Sequence, residues 1–315
     1  MLKRKNKLYY FLFGFITAAT LIYVGGIFSF QSNPENDDND FPQGYHIISP
    51  QMPDDLYFCG ERVPIENFEV RERIDRELVV NTYWHSSTIL TLKKSNRWFP
   101  VIEPILKDNN IPDDFKYLAV IESGLMNVVS PAGATGFWQF MEYPAKKYGL
   151  EVNDEVDERY NVEKSTEAAC KYLQDAYNQF GSWTMAGAAF NMGFDGVQKQ
   201  VDRQKAKNYY NLVLNDETSR YIARIIATKE IFLNPKKYGY DLKQSDLYPP
   251  LKYYTIEISG SVSDFADYAA NYGINYKILK YYNPWLRDNH LTNNNNKTYI
   301  LKLPEKGSIN IINKQ

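Results

Sequence analysis

From Leu56 to Tyr240 the apolar residues recur at the three- and four-residue steps of a helix, and after Pro249-Pro250 they begin to alternate. Ala169, Tyr172, Leu173, Ala176 and Phe180 form one apolar stripe, and Ile222, Ile225, Ile226 and Leu233 another. Beyond the prolines, Tyr253 to Ile258 and Thr298 to Leu303 read as strands, with Val262 to Ala270 and Tyr276 to Tyr282 as helices between them. Asn293 to Asn296 reads as a solvent loop before the last strand. The expected fold is mainly α: a helical domain over 56–245, then a small, separate α+β module of βααβ order over 252–304.

The N-terminus carries a different signal. Lys3, Arg4, Lys5 and Lys7 form a basic tail over 1–7, and residues 8–30 then run 23 positions without a charge. As a helix that run measures about 35 Å, enough to cross a hydrocarbon core of about 30 Å. Glu35, Asp37, Asp38 and Asp40 follow it, so the positive-inside rule leaves the N-terminus in the cytoplasm and everything after Phe30 exported. A signal peptide cut near Gly25-Gly26 is the competing reading; the length of the run favours an uncleaved transmembrane helix. Residues 31–55, polar, acidic and proline-containing, read as a linker.

Charge excludes one class of partner. The chain has 36 basic and 38 acidic residues and no basic tract outside the extreme N-terminus, so no nucleic acid is expected. Cys59 and Cys170 make no disulfide framework; small packed residues is the favoured reading, and a bridge between them stays open. His46, His85 and His290 are scattered and the cysteines lack ligand spacing, so neither a metal nor a cofactor is expected. Asp157 and Asp195 read as caps or loop residues, and no nucleophile elbow occurs.

Glu122 is the residue that points to chemistry. It ends the apolar run Leu118-Ala119-Val120-Ile121, and with Phe115 and Leu118 it keeps a spacing of i, i+3 and i+7, which puts its carboxyl on the face those residues turn inward. Pro112-Asp113-Asp114 is a suitable helix opening and Gly124 a weak point at its end. Burial disfavours the charged form, so this carboxyl should keep its proton to higher pH than an exposed one, as a general acid near neutrality must.

In order along the chain stand Glu122-Ser123; Gly136 with Gln139-Phe140-Met141; Ala188-Ala189-Phe190-Asn191-Met192-Gly193; and Glu217-Thr218-Ser219-Arg220-Tyr221-Ile222. That succession resembles the four signatures of the soluble-lytic-transglycosylase-type domain and is most similar to membrane-bound lytic murein transglycosylases of the D type. Tyr148-Gly149-Leu150, Val156 to Tyr160 and Lys171-Tyr172-Leu173 agree with it, and the likeness covers about residues 56–240.

The resemblance implies a lysozyme-like helical fold whose groove holds peptidoglycan glycan strands. Glu122 would be the single catalytic acid and base, cleaving between N-acetylmuramic acid and N-acetylglucosamine without water and leaving a 1,6-anhydro end. Ser123, Gly136, Gln139, Phe140, Met141, Phe190, Asn191 and Tyr221 would line the substrate, and Glu217 reads as a helix-start residue. Gly133 and Gly136 would let backbone approach the sugar, Gln139 would offer it a donor and an acceptor, and Asn191 would bind substrate or hold the Glu122 loop. Phe190 departs from the usual Tyr, and Glu142-Tyr143-Pro144 from the usual Pro-x-Thr. Residues 252–304 resemble a divergent LysM domain on Tyr254-Thr255-Ile256, Asn283-Pro284 and Tyr299 to Pro304, which implies N-acetylglucosamine binding; Gly260-Ser261-Val262-Ser263 departs from the common turn. The implied setting is a single-pass anchor in the inner membrane with the catalytic region in the periplasm. A lysozyme-type hydrolase using the same acid and a catalytically silent glycan-binding scaffold are the rival readings.

Overall fold

Among the described residues the first regular element is a short hairpin. Strands β1 (Tyr57–Phe58) and β2 (Glu61–Arg62) pair antiparallel around Cys59 and Gly60, both at positive φ. The computed structural model describes residues 47–309, and those from Ser49 onward belong to one compact unit. The expected basic tail, transmembrane helix and most of the linker lie outside the described residues, among which no helix is long and apolar enough to cross a membrane.

The helices follow the stop and start signals of the sequence. Asn67 caps α1 (Phe68–Tyr83), and α2 (His85–Asp108) runs on through Pro100 and Pro104. Pro112-Asp113-Asp114 opens a 3₁₀ turn over Asp113–Phe115, which flows into α3 (Lys116–Ser123). Gly124 ends α3 in the left-handed region at φ 59. After α4 (Glu142–Lys147), Asn161 caps α5 (Val162–Phe180) and Gly181 stops it. Ser182 then caps α6 (Trp183–Met192), followed by α7 (Phe194–Gln204) and α8 (Asp216–Leu233), which Asn215 caps.

Helix α3 packs on α8 and α2, while α8 also packs on α1 and α6. Phe115, Leu118, Ile102, Leu106, Ile222 and Ile225 are fully buried in the resulting core. Each such side chain contributes roughly 1.5–3 kcal/mol by leaving water, so the element that carries Glu122 is held by apolar packing on two sides.

The C-terminal part shows the expected order: β3 (Tyr253–Ile258), α9 (Phe265–Ala270), α10 (Tyr276–Tyr282) and β4 (Tyr299–Pro304), with the strands antiparallel in register Tyr253↔Pro304 through Ile258↔Tyr299. Three expectations change. The first helix begins at Phe265 rather than Val262, because Asp264 caps it and Val262 pairs with Leu291. Asn293 is buried rather than solvated, its amide bracketing the backbone of Lys297 at 2.7 and 3.0 Å. The linker ends earlier than residue 55, since Met52 already packs against the main core.

The module is also not free-standing. Its small core, around Phe265, Leu279, Leu286 and Leu301, takes in Val156 and Tyr160 from the helical region. Val156 bridges to Leu286, Asp157 N donates to Trp285 O at 2.8 Å, and Arg287 N donates to Glu155 O at 2.7 Å. Lys297 pairs with Glu151 and Lys302 with Glu163 along the same seam. Both cysteines are free thiols: Cys170 is buried, and Cys59 is half-buried with its N–H donating to Asp114 Oδ2 at 2.7 Å.

Candidate active site

Glu122 stands one residue before the end of α3, where the helix leaves the core. Its side is the one that Phe115 and Leu118 bury, but the residue itself is half-buried, so the carboxyl is shielded without being sealed in. Tyr221, fully buried on α8, donates its phenol hydrogen to Glu122 Oε1. Burial raises the Glu122 pKa above the usual carboxylate range; the Tyr221 hydrogen bond and the Arg224 charge oppose that, and Glu217 adds to it. The Tyr221 phenol is raised well above its ordinary value, by burial first and then by Glu122, so it stays a donor. No cation forms an ion pair with Glu122 among the described residues.

The turn after Glu122 is fixed by backbone. Ser123, expected at the substrate, is buried; its hydroxyl donates to Ala119 O at 3.0 Å and accepts from Met126 N at 3.4 Å. It therefore secures the end of α3. Lys94 Nζ donates to Gly124 O at 3.0 Å, and Arg224 Nη2 to Ile121 O at 3.1 Å.

Residues 128–140 form a tight double-bridged turn, Val129 pairing with Thr135 and Thr135 with Phe140. Gly136 in it is buried at φ +82, and a Cβ there would stand 2.0 Å from the carbonyl oxygen of Arg159. Arg159 itself thus bars any side chain at position 136, while Gly133 has open space around it. Arg159 pairs with Asp157 at 2.7 Å and donates to Gly133 O and Phe140 O, each at 3.2 Å, so it holds both ends of this turn. Gln139, at positive φ, gives its amide to Val128 O at 3.0 Å and Gly136 O at 2.8 Å.

The remaining expected residues divide. Phe140 is buried, and Phe190 packs against it at 5.7 Å and against Tyr172 at 5.1 Å, so both rings belong to an aromatic core. Met141 is 45% exposed, the open side chain of its run. Asn191 Nδ2 donates to Glu217 Oε1 at 3.1 Å and Asn191 Oδ1 accepts from Thr218 at 2.6 Å, which ties α6 to the start of α8. No hydrogen bond joins Gln139 or Asn191 to Glu122 among the described residues; Tyr221 is the expected partner that reaches it. Reading by sequence missed Arg224, although it lies three residues beyond Tyr221 on the same helix face. It missed Arg159 too, whose partners are distant carbonyls that leave no mark in sequence.

Chemically, the arrangement offers one proton-retaining carboxyl, a phenol that orients it, and a half-open approach. Comparison with known proteins finds two stretches of the chain that match. Residues 99–213 match the family model described as the transglycosylase SLT domain, and residues 254–307 match the soluble lytic transglycosylase C-terminal LysM-like domain. The chain thus carries an SLT transglycosylase domain followed by a LysM-like domain.

Among individual relatives, it is 29% identical over 243 residues to membrane-bound lytic murein transglycosylase D of Escherichia coli strain K12, covering 74% of this chain and 52% of that one. The same protein of strain CFT073 matches equally. The chain spans about half the length of these relatives. The crystal structure of the 70 kDa soluble lytic transglycosylase from E. coli is similar at 15% identity, over 59% of this chain and 37% of that one, with a TM-score of 0.39.

Proposed function

We propose that the chain is a peptidoglycan lytic transglycosylase that cleaves the bond from N-acetylmuramic acid to N-acetylglucosamine and leaves a 1,6-anhydro end. The observation that carries this reading is Glu122: shielded, raised in pKa, held by a phenol and paired with no cation. Tyr221 occupies Oε1, which leaves Oε2 to carry the proton. That proton passes to the oxygen of the departing N-acetylglucosamine as the glycosidic bond breaks. Positive charge develops at the muramic anomeric carbon, where the neighbouring 2-acetamido group can stabilise it. The Glu122 carboxylate then takes the proton of the muramic C6 hydroxyl, whose oxygen closes on the anomeric carbon. One carboxyl returns to its starting state and no water is consumed.

The lysozyme-like groove, the anchoring of residues 8–30 in the inner membrane and a periplasmic setting belong to the same reading. An anchored catalyst with a linker of suitable reach would work at raised local concentration near the wall.

Purified murein digested by the protein tests it. Muropeptides are expected to weigh one water less than those with reducing ends. Reducing ends instead would make the chain a hydrolase, binding without digestion by the parent would leave only a scaffold, and equal digestion by Glu122→Gln and the parent would overturn the role of Glu122.

A further inference from the structure

A cavity of about 480 Å³ lies between α2, the turn that leaves Glu122 and the C-terminal module. Its volume falls in the range of small-ligand sites, roughly 300–1,000 Å³. Glu122, Gln139, Asn191 and Tyr221 are not among its walls. Trp98, Tyr160, Tyr248, Tyr281, Tyr282 and Trp285 are, and they give it flat apolar sides.

Three polar features of the cavity want a ligand. Lys94 and Arg97, three residues apart on one face of α2, line it together. Their hydrogen bonds go to Gly124 O, to Pro249 O and to the Tyr281 hydroxyl, and neither has a carboxylate in ion-pair reach among the described residues. Lys302, by contrast, is neutralised by Glu163. Burial lowers the Lys94 pKa, as expected of an ammonium without a counter-ion. Asn127 also lines the cavity; its Nδ2 donates to Tyr160 O at 3.2 Å, but its buried Oδ1 has no partner. An unpaired buried acceptor is costly until an N–H or O–H reaches it.

We propose that this cavity is a second saccharide site, taking a peptide-free unit of N-acetylglucosamine and N-acetylmuramic acid. The lactyl carboxylate of the muramic residue meets Lys94 and Arg97, and an acetamido N–H or a hydroxyl meets Asn127 Oδ1. The inference rests on the proposed function, which supplies the polymer; the aromatic sides select a sugar face, and the two cations select its acid-bearing member. Stem peptides turn that carboxylate into an amide, which is why the peptide-free unit is the occupant. Because the occupant touches Leu125, Met126 and Asn127, it braces the segment that leaves Glu122.

The test is calorimetric titration of the full chain carrying Glu122→Gln, which removes turnover, with a peptide-free tetrasaccharide of the two sugars. Two sites per chain are expected. Adding Lys94→Gln and Arg97→Gln should weaken one of them at least tenfold, and chitotetraose, which lacks carboxylates, should fill only the other. Tyr281→Ala, at a position 54% exposed, should weaken the same site while the first site's unchanged affinity shows that the chain is folded. A single site in the parent, a second site indifferent to all three substitutions, or equal filling by chitotetraose or by the peptide-bearing oligosaccharide overturns the proposal. Murein digestion by the unsubstituted chain is read separately: missing anhydro products sink the proposed function, whereas anhydro products without a second site sink this inference alone.

Discussion

Glu122 and Glu158 are both acids drawn out of water, one at the end of α3 and the other at the seam with the C-terminal module. Glu158, with a side chain 3% exposed, is compensated on every side: it pairs with Lys164 and accepts Glu151 N at 2.8 Å. Its neighbours are treated alike. For Glu151, desolvation pushes the pKa up, but Lys297 and hydrogen bonds from Tyr299 and Asn153 outweigh it and hold the carboxyl below its ordinary range. Glu122 receives a phenol instead of a cation, and its pKa goes up. The seam uses carboxylates as mortar, each paired with a lysine, whereas the end of α3 holds one carboxyl that no cation pairs with among the described residues.

The contrast can be broken most directly by replacing each acid. Glu122→Gln should lower the rate of murein cleavage by about 10²–10⁴-fold, the usual weight of a general acid, with no loss of melting temperature. Because the folded-state pKa is raised, the ionised form is the penalised one, so above that pKa the variant should melt higher than the parent, and the gap should close in acid. Thermal scans at several pH values check the sign. Glu158→Ala should do the reverse: it leaves Lys164 and Glu151 N without their partner and costs about 3 kcal/mol, read in denaturant melts, before any effect on chemistry. Equal stability loss in both variants would erase the distinction.

Two smaller effects sharpen it. Tyr221→Phe removes a hydrogen bond that lowers the Glu122 pKa, so that pKa should climb further and the alkaline limb of the pH–rate profile should move to higher pH. The rate itself should fall only by about tenfold, the weight of one hydrogen bond of roughly 1–2 kcal/mol. Lys297→Gln, at a side chain 44% exposed, should cost under about 1 kcal/mol. The folded pKa of Glu151 is depressed, so that loss should be visible above the ordinary carboxyl pKa and vanish as pH falls through the folded value.

Much of this was legible in sequence because it depends on near neighbours. The spacing of Phe115, Leu118 and Glu122, the helix opening at Pro112 and the strand and helix order after Pro249 are local patterns, and the structure shows them at those positions. Glu122 and Tyr221 were both nameable, and their hydrogen bond joins residues 99 apart. What stayed hidden depends on distant backbone. Gly136 reads as a glycine kept open for a sugar until the Arg159 carbonyl stands over it, and Gln139 reads as a ligand donor until its amide is found on Val128 and Gly136. The seam was illegible for the same reason: Glu151, Glu155 and Glu163 look like surface charges, and only the folded chain brings Lys297, the Arg287 N–H and Lys302 to their region.

Arg159 stands where two lines of support meet. Its guanidinium grips Gly133 and Phe140, its carbonyl fills the space above Gly136, and its partner Asp157 is hydrogen-bonded to Trp285 of the C-terminal module. Trimming the chain after Pro250 to obtain a minimal enzyme would therefore remove a keystone as well as an appendage. A fall in activity in such a fragment would report collapse of the loop beneath Gln139 before it reported any lost grip on the wall.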